Sequence, residues 1–387
     1  MNPAGMSAVV APTREGFVEV GGVRTRYYVY GDGAPTSLPA PAAPTTLTGP
    51  TSPMRHVPAG PPDVSERLGV LRDGYFRPEE AEGARRRGGG QAEGARRRER
   101  HVPTAVPTVF LLMPDVITHA AAWKAQVPFL ARHFRVITAD PRGNGGSDRV
   151  TDPAAYQFEN VLADAWAVLD EVGSETAVLC GVCSGAGLAL IMAAERPERV
   201  QGVVAINPGL RLTPPHPWWV RHDFEAVLDP DGLAAAVAED GWARVSRQSW
   251  TQDWPGFAQF FFEQLFPEPH STKQIEDCVG WAGPTGEVDL ADEDAPPTRY
   301  GTEAAAREVC EAVRCPVLVI TGSDDRCQVP ERGRIVAELT GGEFVELEGS
   351  GHLPMARDPV RINLLLRDFV RRVTHVTPQT REPTAAR

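Results

Sequence analysis

The chain has 387 residues, is 42% hydrophobic and carries a formal charge of -12, which suits a large core or one big α/β domain with insertions. The acidic balance argues against a general nucleic-acid binder, and six cysteines in this length argue against a disulfide scaffold. No run approaches the ~18 apolar residues of a membrane span and residues 1–15 lack a secretory signal pattern, so a soluble, reducing, cytoplasmic setting is expected.

Residues 1–15 are small and polar and read as a frayed terminus. Residues 16–30 read as a hairpin of two β-rich runs joined at Gly21-Gly22. Residues 34–103 break the pattern. They begin rich in Pro, Ala and Thr and end in a near-duplicate, residues 81–87 and 92–98, each closing on an arginine triplet. Such low-complexity composition cannot offset its ordering entropy and reads as a disordered insertion. Its arginines suit an acidic partner or plain solvation.

Beyond it, residues 107–113 (PTVFLLM) read as a buried strand, and 119–133 as a helix with Trp123, Val127 and Leu130 at helical spacing. A strand over 134–140 and an amphipathic helix over 158–172 follow. Residues 176–180 have the length and content of a strand buried on both faces, and 188–195 read as a helix stopped by Pro197. Residues 202–207 form the next strand. The stretch 208–301 has no sheet pattern and holds six of the eight tryptophans. Strands over 316–322 and 343–347, helices over about 331–339 and 359–373, and a disordered tail, 375–387, complete the chain.

Chemistry gathers between the strand at 176–180 and its helix, in Gly181-Val182-Cys183-Ser184-Gly185-Ala186-Gly187. Strand, glycine-rich turn and helix is the context that gives G-x-nucleophile-x-G its meaning. Cys183 takes the central place, at a helix N-terminus whose dipole favours a thiolate. Two other readings compete. Cys180 and Cys183 form a C-x-x-C, but Cys180 still lies in the strand. Ser184 is a candidate nucleophile, but the glycines two before and two after select Cys183. Cys310 and Cys315 lack the paired spacing of a zinc site, so no metal is expected.

With these features the chain resembles the α/β-hydrolase superfamily. The resemblance runs from about Gly16 to Thr374 outside the insertion. It implies a mostly parallel, doubly wound sheet in two core parts, 16–33 with 104–207 and then 302–374, with an inserted helical cap over 208–301. Asp140-Pro141-Arg142-Gly143-Asn144-Gly145-Gly146-Ser147 matches the family's D-x-R-G-x-G-x-S turn, which braces the site and does no chemistry. Gly322-Ser323-Asp324-Asp325 places the triad acid at Asp325, with Asp324 as the alternative. Gly349-Ser350-Gly351-His352 places the catalytic histidine at His352.

A Cys183–His352–Asp325 triad follows from the resemblance, with one oxyanion donor on the backbone N–H of Ser184. The second normally comes from the loop after the third strand. There the family's His-Gly is replaced by Met113-Pro114, and proline has no N–H, so Asp115 or a neighbour is expected to donate. The cap aromatics Trp218, Trp219, Trp250, Trp254 and Phe261 either line an apolar acyl pocket or form the cap's own core. The function implied is cofactor-free hydrolysis of an ester, lactone or thioester of a hydrophobic small molecule. An acyltransferase, or a ligand-binding protein favoured by the Met113-Pro114 departure, remain alternatives.

Overall fold

A computed structural model describes residues 10–31, 106–114, 117–220, 223–239, 241–283 and 285–375. The expected insertion at 34–103 and the tail beyond His375 lie outside the described residues. The N-terminus orders earlier than expected. Its first strand, β1 (Arg14–Val20), pairs Arg14 with Val29 and is held further by Thr13 N donating to Val29 O at 2.8 Å.

β1 runs antiparallel to β2 (Val23–Tyr30) across Gly21 and Gly22, whose φ of 60° and 78° are those of a tight hairpin turn. The other strands are β3 (Thr108–Leu112), β4 (Arg135–Ala139), β5 (Ala177–Val182), β6 (Val200–Ile206), β7 (Val317–Gly322) and β8 (Glu343–Leu347). They form one eight-stranded sheet in the order β1-β2-β4-β3-β5-β6-β7-β8. Pairing is antiparallel for β1–β2 and β2–β4, and parallel from β4 onward. The order reverses direction at β3, beside β5, so the carboxyl ends of β3 and β5 flank the switch point where open α/β sheets place their sites.

The run at β5 is apolar throughout because both faces are covered. Val178, Cys180 and Val182 pack into one core cluster and Ala177 and Leu179 into the other, as a period of two requires. The second cluster is roofed by helices α2 (Phe158–Glu171), α3 (Ser184–Glu195), α9 (Glu303–Ala312) and α10 (Pro330–Thr340). The first takes α1 (Val127–Leu130) and α12 (Pro359–His375).

One expected helix is not continuous. Residues 119–133 form a 3-10 turn, Ala120–Trp123, and then the single turn α1. Pro128 sits in the first turn of α1 and has no N–H to give to Lys124 O, so a helix running through it would be broken there. Trp123 and Leu130 are nonetheless fully buried, as their spacing anticipates.

The stretch after β6 folds as helices α4 (Pro230–Glu239), α5 (Arg247–Gln252), α6 (Trp254–Leu265), α7 (Thr272–Ala282) and α8 (Gly286–Glu293). In α6, Trp254, Phe257, Phe261, Phe262 and Leu265 recur at helical spacing and are all buried in the first cluster. The short α11 (Pro354–Arg357) follows the last strand. Among the described residues no helix is long and apolar enough to cross a membrane.

The D-x-R-G turn after β4 acts as a brace. Buried Arg142 pairs with Asp164 of α2, through Nε and through Nη2 to Oδ1 at 2.9 Å, and donates to Val20 O at 2.8 Å and Ala155 O at 3.0 Å. Asp140 accepts from Tyr28 Oη at 2.9 Å, Gly146 N at 2.8 Å and Ala120 N at 3.1 Å. The last bond fixes the loop after β3 against the end of β4. A buried carboxylate with several donors and a buried guanidinium with a carboxylate are both compensated, which is what burying a charge requires.

Candidate active site

β5 ends at Val182 and α3 begins at Ser184, which leaves one residue to turn the chain. Cys183 does so with φ 55° and ψ -126°, a conformation costly for any residue with a Cβ. The surroundings hold it there. Cys183 N donates to Ile206 O at 3.0 Å, and Cys183 O accepts from Gly209 N at 2.8 Å and Ala186 N at 3.0 Å. Space is the other constraint. A Cβ on Gly181 would lie 2.1 Å from Gly185 O, and one on Gly185 would lie 2.8 Å from both Leu112 O and Met113 O. Gly209 is a third such position, unmarked in the motif: its Cβ would meet Ser184 N at 2.7 Å.

The strands on either side deliver the partners. Asp325 follows β7, His352 follows β8, and His352 Nδ1 lies 2.8 Å from Asp325 Oδ2. Asp325 Oδ1 accepts from Cys327 N at 2.7 Å and Gln328 N at 3.0 Å, which fixes the carboxylate plane. Asp324, the alternative acid, is exposed and accepts from Ser323 Oγ at 3.0 Å. The histidine loop is clamped by Asn207, whose Nδ2 donates to His352 O at 2.7 Å while its Oδ1 accepts from Gly322 N at 2.9 Å. His352 N donates to Leu265 O at 3.0 Å, tying the loop to α6.

Around Cys183 Sγ stand groups that the sequence reading passed over. Gln328 Nε2 donates to it at 3.3 Å and approaches Cys327 Sγ at 3.7 Å, while Gln328 Oε1 accepts from buried Arg332. One donor atom each of Cys183, Cys327 and His352 lie within 4.8 Å of one another. The hydrogen bond from Cys327, with the charge and hydrogen bond of His352 and the amide of Gln328, holds the Cys183 thiol well below the usual range against the opposing effect of burial. Cys327 gives up its proton correspondingly less readily. Burial works against charge on His352, but Asp325 and the Cys183 thiolate outweigh it and push its pKa up to about 10. Both shifts favour a thiolate–imidazolium pair over a neutral one. Cys180 is different. It is fully buried among apolar side chains, where burial pushes its thiol far up, so it lacks the electropositive setting of a reactive cysteine.

Ser184 is the first residue of α3, so its backbone N–H belongs to a helix N-terminus, where a developing oxyanion is favoured. Asp115 lies outside the described residues. The loop it belongs to is anchored further on by Ile117, φ 56°, whose N donates to Asp289 Oδ1 at 3.1 Å. Of the aromatics expected to line an acyl pocket, Trp254 and Phe261 are buried, and Trp254 Nε1 donates to Ala282 O at 2.8 Å. Trp219 and Trp250 are half-buried and pack on them, with ring centroids 5.7 Å apart for Trp219–Phe261 and 5.5 Å for Trp250–Trp254. The side chain of Trp218 lies outside the described residues. What these contacts show is core packing.

The family model described as the alpha/beta hydrolase fold matches residues 113–359, well over half of the chain. The 3-oxoadipate enol-lactonase 2 of Acinetobacter baylyi is 23% identical over 248 residues, 64% of this chain and 82% of that protein. An enol-lactonase structure from Burkholderia xenovorans superposes with a TM-score of 0.57 at 17% identity, covering 92% of this chain and all of that one. A thermophilic esterase from Thermogutta terrifontis gives 0.52 at 25% identity over 69% of this chain and 90% of that one. A parallel sheet with the reversal at β3, an elbow at the end of β5 and the extent of the family match converge: the chain belongs to the α/β-hydrolase fold family.

Proposed function

We propose that the chain hydrolyses activated acyl compounds (thioesters, enol lactones, aryl esters) through an acyl-enzyme on Cys183. The observation that carries this reading is the line Cys183–His352–Asp325, with a strained residue at its head and a carboxylate held by two backbone N–H groups at its foot. The thiolate attacks the acyl carbon, and the oxyanion forms against the N–H of Ser184 and a second donor from the loop after β3. His352, already protonated, gives its proton to the leaving group, and Asp325 keeps the ring oriented and stabilises its charge. Water then attacks the acyl-enzyme with the neutral His352 as base, and the thiolate leaves.

The substrate class follows from the nucleophile. A thiolate leaves more readily than an alkoxide, so the intermediate from an alkyl ester collapses back to substrate, whereas thiolates, enolates and phenolates compete with it as leaving groups. The names of the similar proteins, an enol-lactonase and an esterase, fit this range. The helices over 208–301, linked to His352 through Leu265, act as a cap on the site. Mass spectrometry of the intact protein mixed with thioester, enol-lactone, aryl-ester and alkyl-ester probes tests the proposal. Acyl adducts on Cys183 are expected from the first three at rates well above the fourth. No adduct with any probe overturns it.

Asp325, rather than Asp324, is the acid in this reading. Asp325→Asn should cut turnover by about 10⁴-fold, the size seen when a triad acid is replaced by its amide. Asp324→Asn should stay within a few-fold of the parent. The reverse ranking in steady-state assays would reject the assignment.

A further inference from the structure

The acyl mechanism leaves Cys327 without a chemical step, although its sulfur shares the pocket with the nucleophile. The geometry points to a binding site for a thiophilic divalent cation, zinc by its ligand chemistry, made by Cys183, Cys327 and His352, whose occupancy silences the nucleophile. Two thiolates and one imidazole are a recognised zinc set with the fourth position left for water. The donors already lie within 4.8 Å of one another, and ligand atoms of a tetrahedral site stand roughly 3.5–3.8 Å apart at ordinary Zn–S and Zn–N lengths, so side-chain rotation closes the gap.

The surroundings fit a metal site as well. His352 spends Nδ1 on Asp325, which leaves Nε2 for the metal and gives the carboxylate–histidine–metal relay that fixes tautomer and ring orientation. The Gln328 amide stands 3.3 Å from one sulfur and 3.7 Å from the other, placed to donate to coordinated thiolates.

No linear spacing could signal this set. Its members come from the β5–α3 elbow, the turn after β7 and the loop after β8, so the expectation of no metal drawn from C-x-x-C spacing does not reach it.

The test uses the full chain, chelator-stripped and reduced under anaerobic conditions, and needs no substrate. Zinc chloride is titrated while iodoacetamide labelling of Cys183 is followed by mass spectrometry, and cobalt(II) chloride supplies the spectrum. Zinc should protect Cys183 stoichiometrically, and cobalt should give thiolate charge-transfer bands with tetrahedral d–d bands. Cys327→Ser, checked for native circular dichroism, should raise the zinc needed for half protection by more than the roughly 10–100-fold that loss of an outer partner costs. Cys327→Ala should do the same. Equal protection in parent and both variants, or a cobalt spectrum without thiolate bands, would overturn the site. That result would leave the acyl-enzyme reading standing, since acyl adducts on Cys183 are scored in chelator.

Discussion

Cys183→Ala should lose all measurable turnover and all acyl adduct. Loss of the nucleophile from a comparable triad costs roughly six orders of magnitude in kcat, because the acyl-enzyme route closes and only the oxyanion hole and binding remain. Cys183→Ser should also lose most activity. The pocket favours a charged sulfur, with Cys327, Gln328 and His352 around it. A serine hydroxyl is not ionised there at neutral pH, and its shorter bond leaves the oxygen back from the acyl carbon. His352, held as imidazolium in the parent, would have to be neutral before it could serve serine as a base. Ser184→Ala is the control, since the mechanism calls on the backbone N–H of Ser184, and should stay far more active than Cys183→Ala. If Ser184→Ala were inactive and Cys183→Ala fully active, the nucleophile would be the next residue along.

The second large effect is on the ionisation of that sulfur, measured in chelator. Alkylation of Cys183 by iodoacetamide follows the thiolate fraction, so its rate against pH has its midpoint at the thiol pKa. The parent midpoint should lie well below the free value of ~8.5. The direction follows from the shifts: a lowered thiol pKa extends the anion to lower pH than in a free thiol, and a His352 pKa of about 10 keeps a cation facing it. His352→Asn removes the cation and should raise the midpoint toward that of a free thiol. Cys327→Ala removes the largest single contribution and should raise it as well. An unchanged midpoint in both variants would mean that neither group stabilises the anion. Cys180, Cys278 and Cys310, buried with raised pKa values, should label far more slowly.

Much of this arrangement is local, and local features are written in sequence. The hairpin at Gly21-Gly22 needs two positive φ angles in succession, and glycine supplies them. β5 is covered on both faces, so it reads as an unbroken apolar run. Gly181 and Gly185 are demanded by carbonyls closer than any Cβ permits, so the elbow carries its own signature, and Asp325 and His352 stand at fixed offsets from strands that announce themselves. The sequence was less informative where the outcome depended on what comes near from elsewhere. Helical spacing at Trp123, Val127 and Leu130 reported burial faithfully but not the break before Pro128. The tryptophans of 208–301 were visible as a cluster, and only packing decided that Trp254 and Phe261 face one another's neighbours in the core. Gly209, Asn207, Cys327 and Gln328 act across gaps of tens to more than a hundred positions, on Ser184, His352 and Cys183. A residue leaves a pattern along the chain when its constraint comes from its own strand, turn or helix. When the constraint is a donor or a charge brought in from the end of another strand, proximity in space sets it, and only the folded sheet supplies that.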